Sequence, residues 1–338
     1  MLSEIEPPAG ARNALPVIPA RPPYEHAQLT RLFNPRSIAV IGASPRTGSF
    51  GERTLLGLRA FAGRILLVNA RYERIGDHAC HPSVTALPEV PDCVIITAGR
   101  EVVEELVREC AAAGVGGVII YASGYAETGL EERAAQQGRL GAIAAASGMR
   151  ILGPNCIGML NFGSGAGVTF MAIPPLPPPR PRAIGLVSQS GALGFSLMQT
   201  MEGGASFSHL LTTGNSCDVD VADCIAFLAQ EPGCAAIACV FEGTPNPGRL
   251  ITAAEVARAA GRPVVICKLG TGEQGAAAAL SHTGSLAGSN AAYTAAFARA
   301  GIMLAESFEA MVETAECFSA SASLPARLAS TSSNANCS

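Results

Sequence analysis

A histidine in a loop of small residues is the first candidate for chemistry in this sequence. His282 stands in AAAALSHTGSLAGSN (276–290), where Gly, Ser and Ala surround the imidazole. Such a loop lets the backbone approach a ligand closely. An exposed imidazole there is a candidate nucleophile or acid–base group. A histidine with only a structural role is an equally open alternative.

A carboxylate is the second candidate. Glu242 follows the apolar run of ACVFEGTPNPG (238–248), at the carboxyl end of a predicted strand. In doubly wound sheets this edge holds the ligand site. A carboxylate there would orient and polarise the imidazole of His282 through an N–H···O contact. A solvated loop glutamate is the alternative.

Two turns rich in small residues are candidates for binding phosphate. IGASPRTGSFG (41–51) lies between a predicted strand and helix, and Gly42, Gly48 and Gly51 suit a tight turn. Backbone N–H groups and the helix N-terminus would bind a phosphate there. Ser44 stands where the GxGxxG motif has its second glycine, so a plain structural turn stays open.

The second turn is GLVSQSGALG (185–194), which also joins a predicted strand to a helix. The hydroxyls of Ser188 and Ser190, with the positive end of the helix dipole, would form an anion site. Ordinary helix-capping serines are the alternative. Arg71 and Arg74 follow the second strand, where the ribose or adenine end of a nucleotide would lie, or they are solvated surface residues.

The elements that position these residues alternate regularly along the chain. Near-continuous apolar strands followed by amphipathic helices indicate βαβ units and parallel sheets that are buried on both faces. The predicted strands are 37–43, 64–70, 93–99, 115–124, 149–155, 183–188, 206–214, 234–243, 262–270 and 301–306. The predicted helices are 49–61, 101–114, 129–148, 189–201, 218–230, 248–261 and 288–300.

We therefore expect two α/β domains. The predicted boundaries are a flexible N-terminal extension (1–30), a Rossmann-like domain (31–173), a Pro-rich linker (174–182), a flavodoxin-like domain (183–318) and a disordered tail (319–338). The linker, PPLPPPRPR, cannot form a helix or a central strand and is expected to cross between the domains.

Composition excludes several classes. With 49% hydrophobic residues the chain is not intrinsically disordered, and a net charge of −4 without a basic run argues against nucleic-acid binding. The 11 Cys and 5 His form no ligand spacing, so we expect no metal site. No apolar run is long enough for a membrane span and no secretory signal is visible, so a cytoplasmic protein is expected. Positive charge comes almost entirely from Arg, with Lys268 as the single lysine.

At these residues the sequence resembles the NDP-forming acyl-CoA synthetases, which include ADP-forming acetyl-CoA synthetases and the α subunit of succinyl-CoA synthetase. The resemblance covers about residues 28–318 and rests on the order and spacing of its motifs. It implies a Rossmann-like CoA-binding domain followed by a flavodoxin-like domain of the succinyl-CoA synthetase type. The motifs are NPRSIAVIGAS, LVNARYERIG, ILGPNCIGMLN, LVSQSGALG, GNSCDVDVADCIAFL, FEG and SHTGSLAG.

The resemblance also implies a mechanism. ATP, bound with Mg²⁺ by a separate ATP-grasp domain, phosphorylates a histidine. The phosphate passes to a carboxylic acid, and the thiol of coenzyme A displaces it from the acyl phosphate. By motif, His282 would be phosphorylated and Glu242 would steady it, while Asn155 would lie near the active site between the domains.

The binding residues carry over in two groups. The phosphohistidine would be cradled by Ser188, Ser190, Gly191 and Ala192. Coenzyme A would be held in the first domain by Gly42, Ala43, Ser44, Gly48 and Gly51, with Arg71 close by. The family's second strand commonly ends in Asn-Pro-Lys, whereas this chain has Asn69–Ala70–Arg71. An arginine still meets phosphate there, with a different geometry.

No ATP-grasp domain is visible in the sequence, so the resemblance implies a partner subunit or domain, in a hetero- or homo-oligomer, or a truncated synthetase. A non-catalytic CoA-binding or regulatory protein is the main alternative, although it would not require the intact SHTGSLAG loop or Glu242. A nicotinamide oxidoreductase, suggested by the Rossmann pattern alone, lacks a visible hydride-transfer dyad.

Overall fold

The protein contains two open sheets flanked by helices, which confirms the predicted α/β class. It is described by a computed structural model over residues 21–270 and 290–320. Central strands such as Ser37–Ile41 (β1) are buried along their whole length. Continuous apolar strands are the pattern expected when helices cover both faces of a parallel sheet.

The first sheet is parallel except at one edge. Its order is β3-β4-β2-β1-β5-β6-β7, and only β3 and β4 pair antiparallel. The other strands are Arg64–Val68 (β2), Arg74–Ile75 (β3), His78–His81 (β4), Cys93–Ile96 (β5), Gly117–Ile120 (β6) and Arg150–Leu152 (β7). The helices of this half are His26–Phe33 (α1), Phe50–Gly57 (α2), Arg100–Ala112 (α3) and Glu131–Ser147 (α4).

The second sheet has the order β14-β13-β12-β10-β11-β8-β9. Strands β10 to β14 are parallel, whereas β8 and β9 are antiparallel to their neighbours. The strands are Gly158–Asn161 (β8), Ala166–Thr169 (β9), Ala183–Ser188 (β10), Phe207–Thr212 (β11), Cys234–Phe241 (β12), Val264–Lys268 (β13) and Met303–Ala305 (β14). The helices are Gly191–Ser196 (α5), Val221–Ala229 (α6), Pro247–Ala259 (α7), Asn290–Ala300 (α8) and Phe308–Ala320 (α9).

The hairpin β8–β9 corrects the predicted domain boundary. Residues 158–169 were expected in the first domain, but β8 pairs with β11 and so joins the second sheet. The Pro-rich segment 174–182 therefore connects β9 to β10 of the same sheet, and the chain crosses between the sheets at residues 153–157. A short hairpin with no helix of its own lacks the βαβ pattern, which is why the sequence did not reveal it.

The N-terminal extension also needs correction. It was expected to be flexible to residue 30, yet α1 begins at His26, and the segment before it packs on α6. Arg21 forms two hydrogen bonds, of 2.9 and 2.8 Å, with the carboxylate of Asp223, which is buried. The proline-rich composition of this region hid the anchoring residues. Residues 1–20 lie outside the described residues.

Two other predicted boundaries shift. The expected helix 189–201 is divided into α5 and a 3₁₀ helix, Leu197–Gly203. The disordered tail was predicted from residue 319, whereas α9 continues to Ala320. Residues 271–289, with His282, and residues 321–338 lie outside the described residues.

Buried aspartates after β11 connect the sheets. Asp218 accepts a 2.8 Å hydrogen bond from the backbone N–H of Ile151 in β7 and a 3.3 Å bond from Arg150. Asp220 and Asp223 both contact Arg249 of α7. The GNSCDVDVADC motif is thus largely structural, because its carboxylates satisfy buried arginines from both halves of the chain.

Candidate active site

The first glycine turn leaves β1 and enters α2 at the carboxyl edge of the first sheet. Gly42 has φ +84°, and a Cβ there would lie 2.5 Å from Oγ1 of Thr97. A Cβ on Gly51 would lie 2.3 Å from the carbonyl oxygen of Gly42. Gly48 has φ +79° and nothing within 4 Å of its Cβ position. The turn is therefore closely packed on one side and open at Gly48.

The helix start beside this turn is capped by its own residues. Ser49 accepts a 3.2 Å hydrogen bond from the backbone N–H of Glu52, and the Glu52 carboxylate accepts one of 3.2 Å from the N–H of Gly48. The Ser44 hydroxyl accepts a 3.1 Å bond from the N–H of Arg46. The Gly48 N–H, a predicted hydrogen-bond donor to phosphate, thus already donates to the Glu52 carboxylate. An anionic ligand at this N–H would have to displace that carboxylate.

Asn69, which the sequence interpretation did not select, joins the loops that follow β1 and β2. Its side-chain amide donates a 2.8 Å hydrogen bond to the carbonyl of Ala43 and accepts one of 3.0 Å from the N–H of Arg71. Arg71 is exposed, and its guanidinium has no hydrogen bond or ion pair within the described residues. Arg74 instead donates to the carbonyl of Asp77 at 2.9 Å.

The second turn, after β10, is closed by its first serine. Ser188 is fully buried, and its hydroxyl donates a 2.6 Å hydrogen bond to the carbonyl of Ser190. Ser190 is the N-cap of α5, where its side chain makes no capping bond. A Cβ on Gly191 would lie 2.6 Å from Cγ1 of Ile157, so this glycine lets the 153–157 loop approach α5. Ala192 follows in the first turn of the helix.

Glu242 is held at the carboxyl edge of β12 by the side chain of Gln189. The amide oxygen of Gln189 accepts hydrogen bonds from the N–H of Glu242 at 2.7 Å and of Gly243 at 3.1 Å. Its amide nitrogen donates a 2.7 Å bond to the carbonyl of Gly243. Because Gln189 lies between the two serines of the β10 turn, these bonds bring the turn and Glu242 together.

The single lysine completes this support. Nζ of Lys268 donates to the carbonyl of Glu242 at 3.3 Å and to that of Leu269 at 2.9 Å. It also lies 5.1 Å from the ring centroid of Tyr293. Burial lowers the pKa of Lys268. Neither Gln189 nor Lys268 was assigned a role from the sequence. The signal available for both was their position at strand ends.

Asn155 lies where the chain crosses between the sheets. It adopts φ +55°, and its side chain donates a 3.2 Å hydrogen bond to the side chain of Asn215. Asn215 in turn donates to Glu127 at 2.5 Å and to Gln137 at 2.9 Å. A Cβ on Gly214 would lie 2.5 Å from the carbonyl of Pro154, so the two loops are in close contact. Asn155 thus stands between the carboxyl edges of both sheets.

Two family models cover most of the chain. Residues 36–161 match a CoA binding domain, and residues 181–318 match a succinyl-CoA ligase like flavodoxin domain. The chain belongs to the NDP-forming acyl-CoA synthetase superfamily. Among the described ranges, no helix is long and apolar enough to cross a membrane.

Members of this superfamily resemble the chain over most of its length. Acetate–CoA ligase [ADP-forming] I of Archaeoglobus fulgidus is 36% identical over 85% of this chain and 41% of its own length. Subunit alpha of acetate–CoA ligase [ADP-forming] II from Pyrococcus furiosus is 36% identical over 86% of this chain and 62% of its own length. The chain therefore spans about two fifths to three fifths of these relatives.

A solved structure shows the same arrangement of elements. Dinucleotide forming acetyl-coenzyme A synthetase 1 of Ca. Korarchaeum cryptofilum, in complex with phosphate and ADP, superposes with a TM-score of 0.78 at 34% identity. The match covers 86% of this chain and 62% of that one.

Proposed function

We propose that this chain is the CoA-binding and phosphohistidine-bearing portion of an NDP-forming acid–CoA ligase. An ATP-grasp subunit or domain would supply the nucleotide site. The observation that carries the proposal is the attachment of Glu242 to the β10 turn through Gln189, at bonds of 2.7 and 3.1 Å. These bonds hold the backbone of Glu242 beside the turn that leads into α5, which supports a carboxylate role at the edge where doubly wound sheets bind ligands.

The proposed reaction has three transfers. An imidazole nitrogen of His282 forms a P–N bond with the γ-phosphoryl group of ATP, and ADP leaves. A carboxylate oxygen of the acid then takes the phosphoryl group, which frees the imidazole. The sulfur of coenzyme A forms the thioester as phosphate leaves the acyl carbon, and the thiol proton is released.

We assign the chain's own residues the following roles. The carboxylate of Glu242 accepts a hydrogen bond from an N–H of the His282 imidazole and stabilises the positive charge of that ring. Ser190 and the N–H groups of Gly191 and Ala192 face the phosphoryl group. Asn155 lies near the acid, between the sheets. The proposed compartment is the cytoplasm, where thiols such as that of coenzyme A stay reduced.

Coenzyme A fits the first glycine turn in one testable respect. The open side at Gly48, where a Cβ meets nothing within 4 Å, leaves room for a pyrophosphate. Gly42, Ala43, Ser44 and Gly51 shape the turn, and the exposed guanidinium of Arg71 would pair with a phosphate.

Labelling with [γ-³²P]ATP tests the proposal. The full chain is incubated with a separately purified ATP-grasp subunit of an ADP-forming acetate–CoA ligase. We expect an acid-labile label that disappears in His282→Ala. Binding measured in parallel should show affinity for CoA and none for NADH. A chain that binds NADH but not CoA, or that retains its label in His282→Ala, would overturn the proposal.

A further inference from the structure

Three aromatic rings form a cluster beside the first glycine turn, which we call the aromatic ledge: Phe50, Tyr121 and Phe170. Phe50 stacks on Phe170 with ring centroids 4.4 Å apart and planes at 19°. Tyr121 contacts Phe170 edge-on at 5.0 Å and Phe50 at 6.4 Å. These are the geometries that aromatic pairs prefer, so the three rings hold one another in fixed positions.

The aromatic ledge adjoins the first glycine turn and the loop that crosses between the sheets. Phe50 stands between Gly48 and Gly51 of the first turn. Tyr121 is clamped by the crossing loop, because Asn155 N–H donates to the carbonyl of Ala122 at 2.8 Å and Cys156 N–H to that of Ile120 at 3.4 Å. The next residue of this loop, Ile157, contacts Gly191 at the start of α5.

One ring of the aromatic ledge is open to solvent. Phe50 is 44% exposed, whereas Tyr121 is 5% exposed. Among the described residues Phe50 is the only aromatic side chain in the set of large exposed hydrophobic residues. Met171, which follows Phe170, is also 39% exposed. The molecule therefore presents apolar surface beside the first glycine turn.

The exposed surface of the aromatic ledge consists of apolar carbon atoms. The only polar atom of the three rings, the hydroxyl of Tyr121, lies 3.4 Å from the Thr54 hydroxyl inside the protein. Burial strongly raises the pKa of Tyr121, so the phenol stays neutral. A ligand that uses the aromatic ledge must therefore bind it by stacking and apolar contact.

From this geometry we propose that the aromatic ledge binds the acyl group of the substrate and favours acids that carry an aromatic ring. This inference rests on the proposed function, because it assumes that the acyl group lies between the first glycine turn, which would hold coenzyme A, and the turn after β10, which would hold the phosphoryl group. A planar ring on the outer face of Phe50 would continue the stack that begins at Phe170. Such a pair adds roughly twofold to tenfold to affinity beyond the area that it buries.

Calorimetric titration of the full chain with three ligands tests the proposal: CoA, acetyl-CoA and phenylacetyl-CoA. The readout is the ratio of the Kd for acetyl-CoA to that for phenylacetyl-CoA within each variant. We expect a ratio of about five to ten for the wild type. The ratio should fall to about one in Phe50→Ala and Phe50→Leu. In Phe50→Tyr the ratio should stay at the wild-type value, because a tyrosine ring also stacks.

The matched control is Val90→Ala. Val90 is 51% exposed and precedes β5, at the opposite edge of the sheet, so the ratio should stay at the wild-type value. If Phe50→Ala fails to fold, Phe50→Leu and Phe50→Tyr carry the comparison.

The outcomes separate the two proposals. A wild type that binds CoA with a ratio near one would overturn the aromatic ledge alone. The same conclusion follows if the ratio survives in Phe50→Leu. A wild type that binds none of the three ligands would overturn the proposed CoA site and the aromatic ledge with it.

Discussion

The side-chain amide of Gln189 spans the backbone of Glu242, accepting its N–H at 2.7 Å while donating to the next carbonyl, of Gly243, at 2.7 Å. Both side chains are almost fully buried. Gln189 belongs to the turn after β10, and Glu242 ends β12, the strand paired with β10. The glutamine therefore couples the proposed phosphate turn to the proposed catalytic carboxylate.

Removal of this amide should affect both stability and phosphorylation. In Gln189→Leu, buried N–H groups of Glu242 and Gly243 lose their acceptor, which should cost about 1–3 kcal/mol of the free energy of unfolding. Labelling of His282 should slow as Glu242 loses its position. The matched control is Gln199→Leu, an exposed glutamine in the 3₁₀ helix, which should leave both quantities near wild type. Equal labelling in both variants would contradict a positioning role for Gln189.

A methyl group in the first glycine turn should disturb the proposed CoA site. In Gly51→Ala the new Cβ would lie 2.3 Å from the carbonyl oxygen of Gly42, so the turn must move and CoA binding should weaken at least several-fold by titration. Gly138→Ala is the control, since nothing lies within 4 Å of that position in α4. It should retain CoA affinity and gain up to about 1 kcal/mol of stability. Unchanged CoA affinity in Gly51→Ala would place the coenzyme elsewhere.

The buried aspartate of α6 should be far more important for stability than a surface carboxylate. Asp223 contacts both Arg21 and Arg249, at 2.8 and 2.9 Å. Asp223→Asn removes the charge partner of Arg21 and one of the two carboxylates at the buried Arg249, which keeps Asp220, so it should lower the free energy of unfolding by about 3 kcal/mol. Glu104→Gln, at partly exposed ion pairs with Arg108 and Arg139, should cost under about 1 kcal/mol. Urea titration compares the two, and equal losses would contradict the buried network.

A buried histidine should make stability depend on pH. Burial lowers the pKa of His209 to about 4, and Nε2 lies 3.1 Å from Oδ1 of Asn34. Because the folded state binds this proton less readily than the unfolded chain, stability is present above pH ~6.5 and is lost as pH falls toward 4. Between pH ~7.5 and ~5.5 this group should account for a loss of about 1 kcal/mol.

The variant His209→Gln isolates this effect. It removes the titrating imidazole, so the free energy of unfolding should fall less steeply over the same pH range. His78→Gln, at an exposed position of β4, should keep the wild-type slope. An identical slope in His209→Gln would assign the pH dependence to other groups.

Much of the fold was predictable because its strands are short apolar runs that repeat with helices between them. β1, β5, β10 and β12 are apolar throughout or nearly so, and the sequence located all four. The hairpin β8–β9 was missed because its strands carry no following helix. The anchoring of Arg21 was missed because it depends on a carboxylate 202 residues away, which no local pattern reveals.

The candidate site was predicted only in outline. Motif positions indicated Glu242 and both glycine turns, each of which lies at the carboxyl edge of its sheet. The sequence did not distinguish the serine that closes a turn, Ser188, from the one left at the helix start, Ser190. It also passed over Gln189, since a glutamine between two serines has no distinctive spacing. Such distinctions depend on hydrogen bonds across neighbouring strands.

Phosphoryl transfer to His282 can be measured directly, without any partner subunit. The full chain is incubated with [³²P]acetyl phosphate, the labelled protein is digested, and the phosphopeptide is mapped. We expect an acid-labile, alkali-stable label on His282 that is absent from His282→Ala and strongly reduced in Glu242→Gln. A wild-type chain that takes up no label, or carries it on another residue, would contradict the role of His282 as the phosphorylated residue.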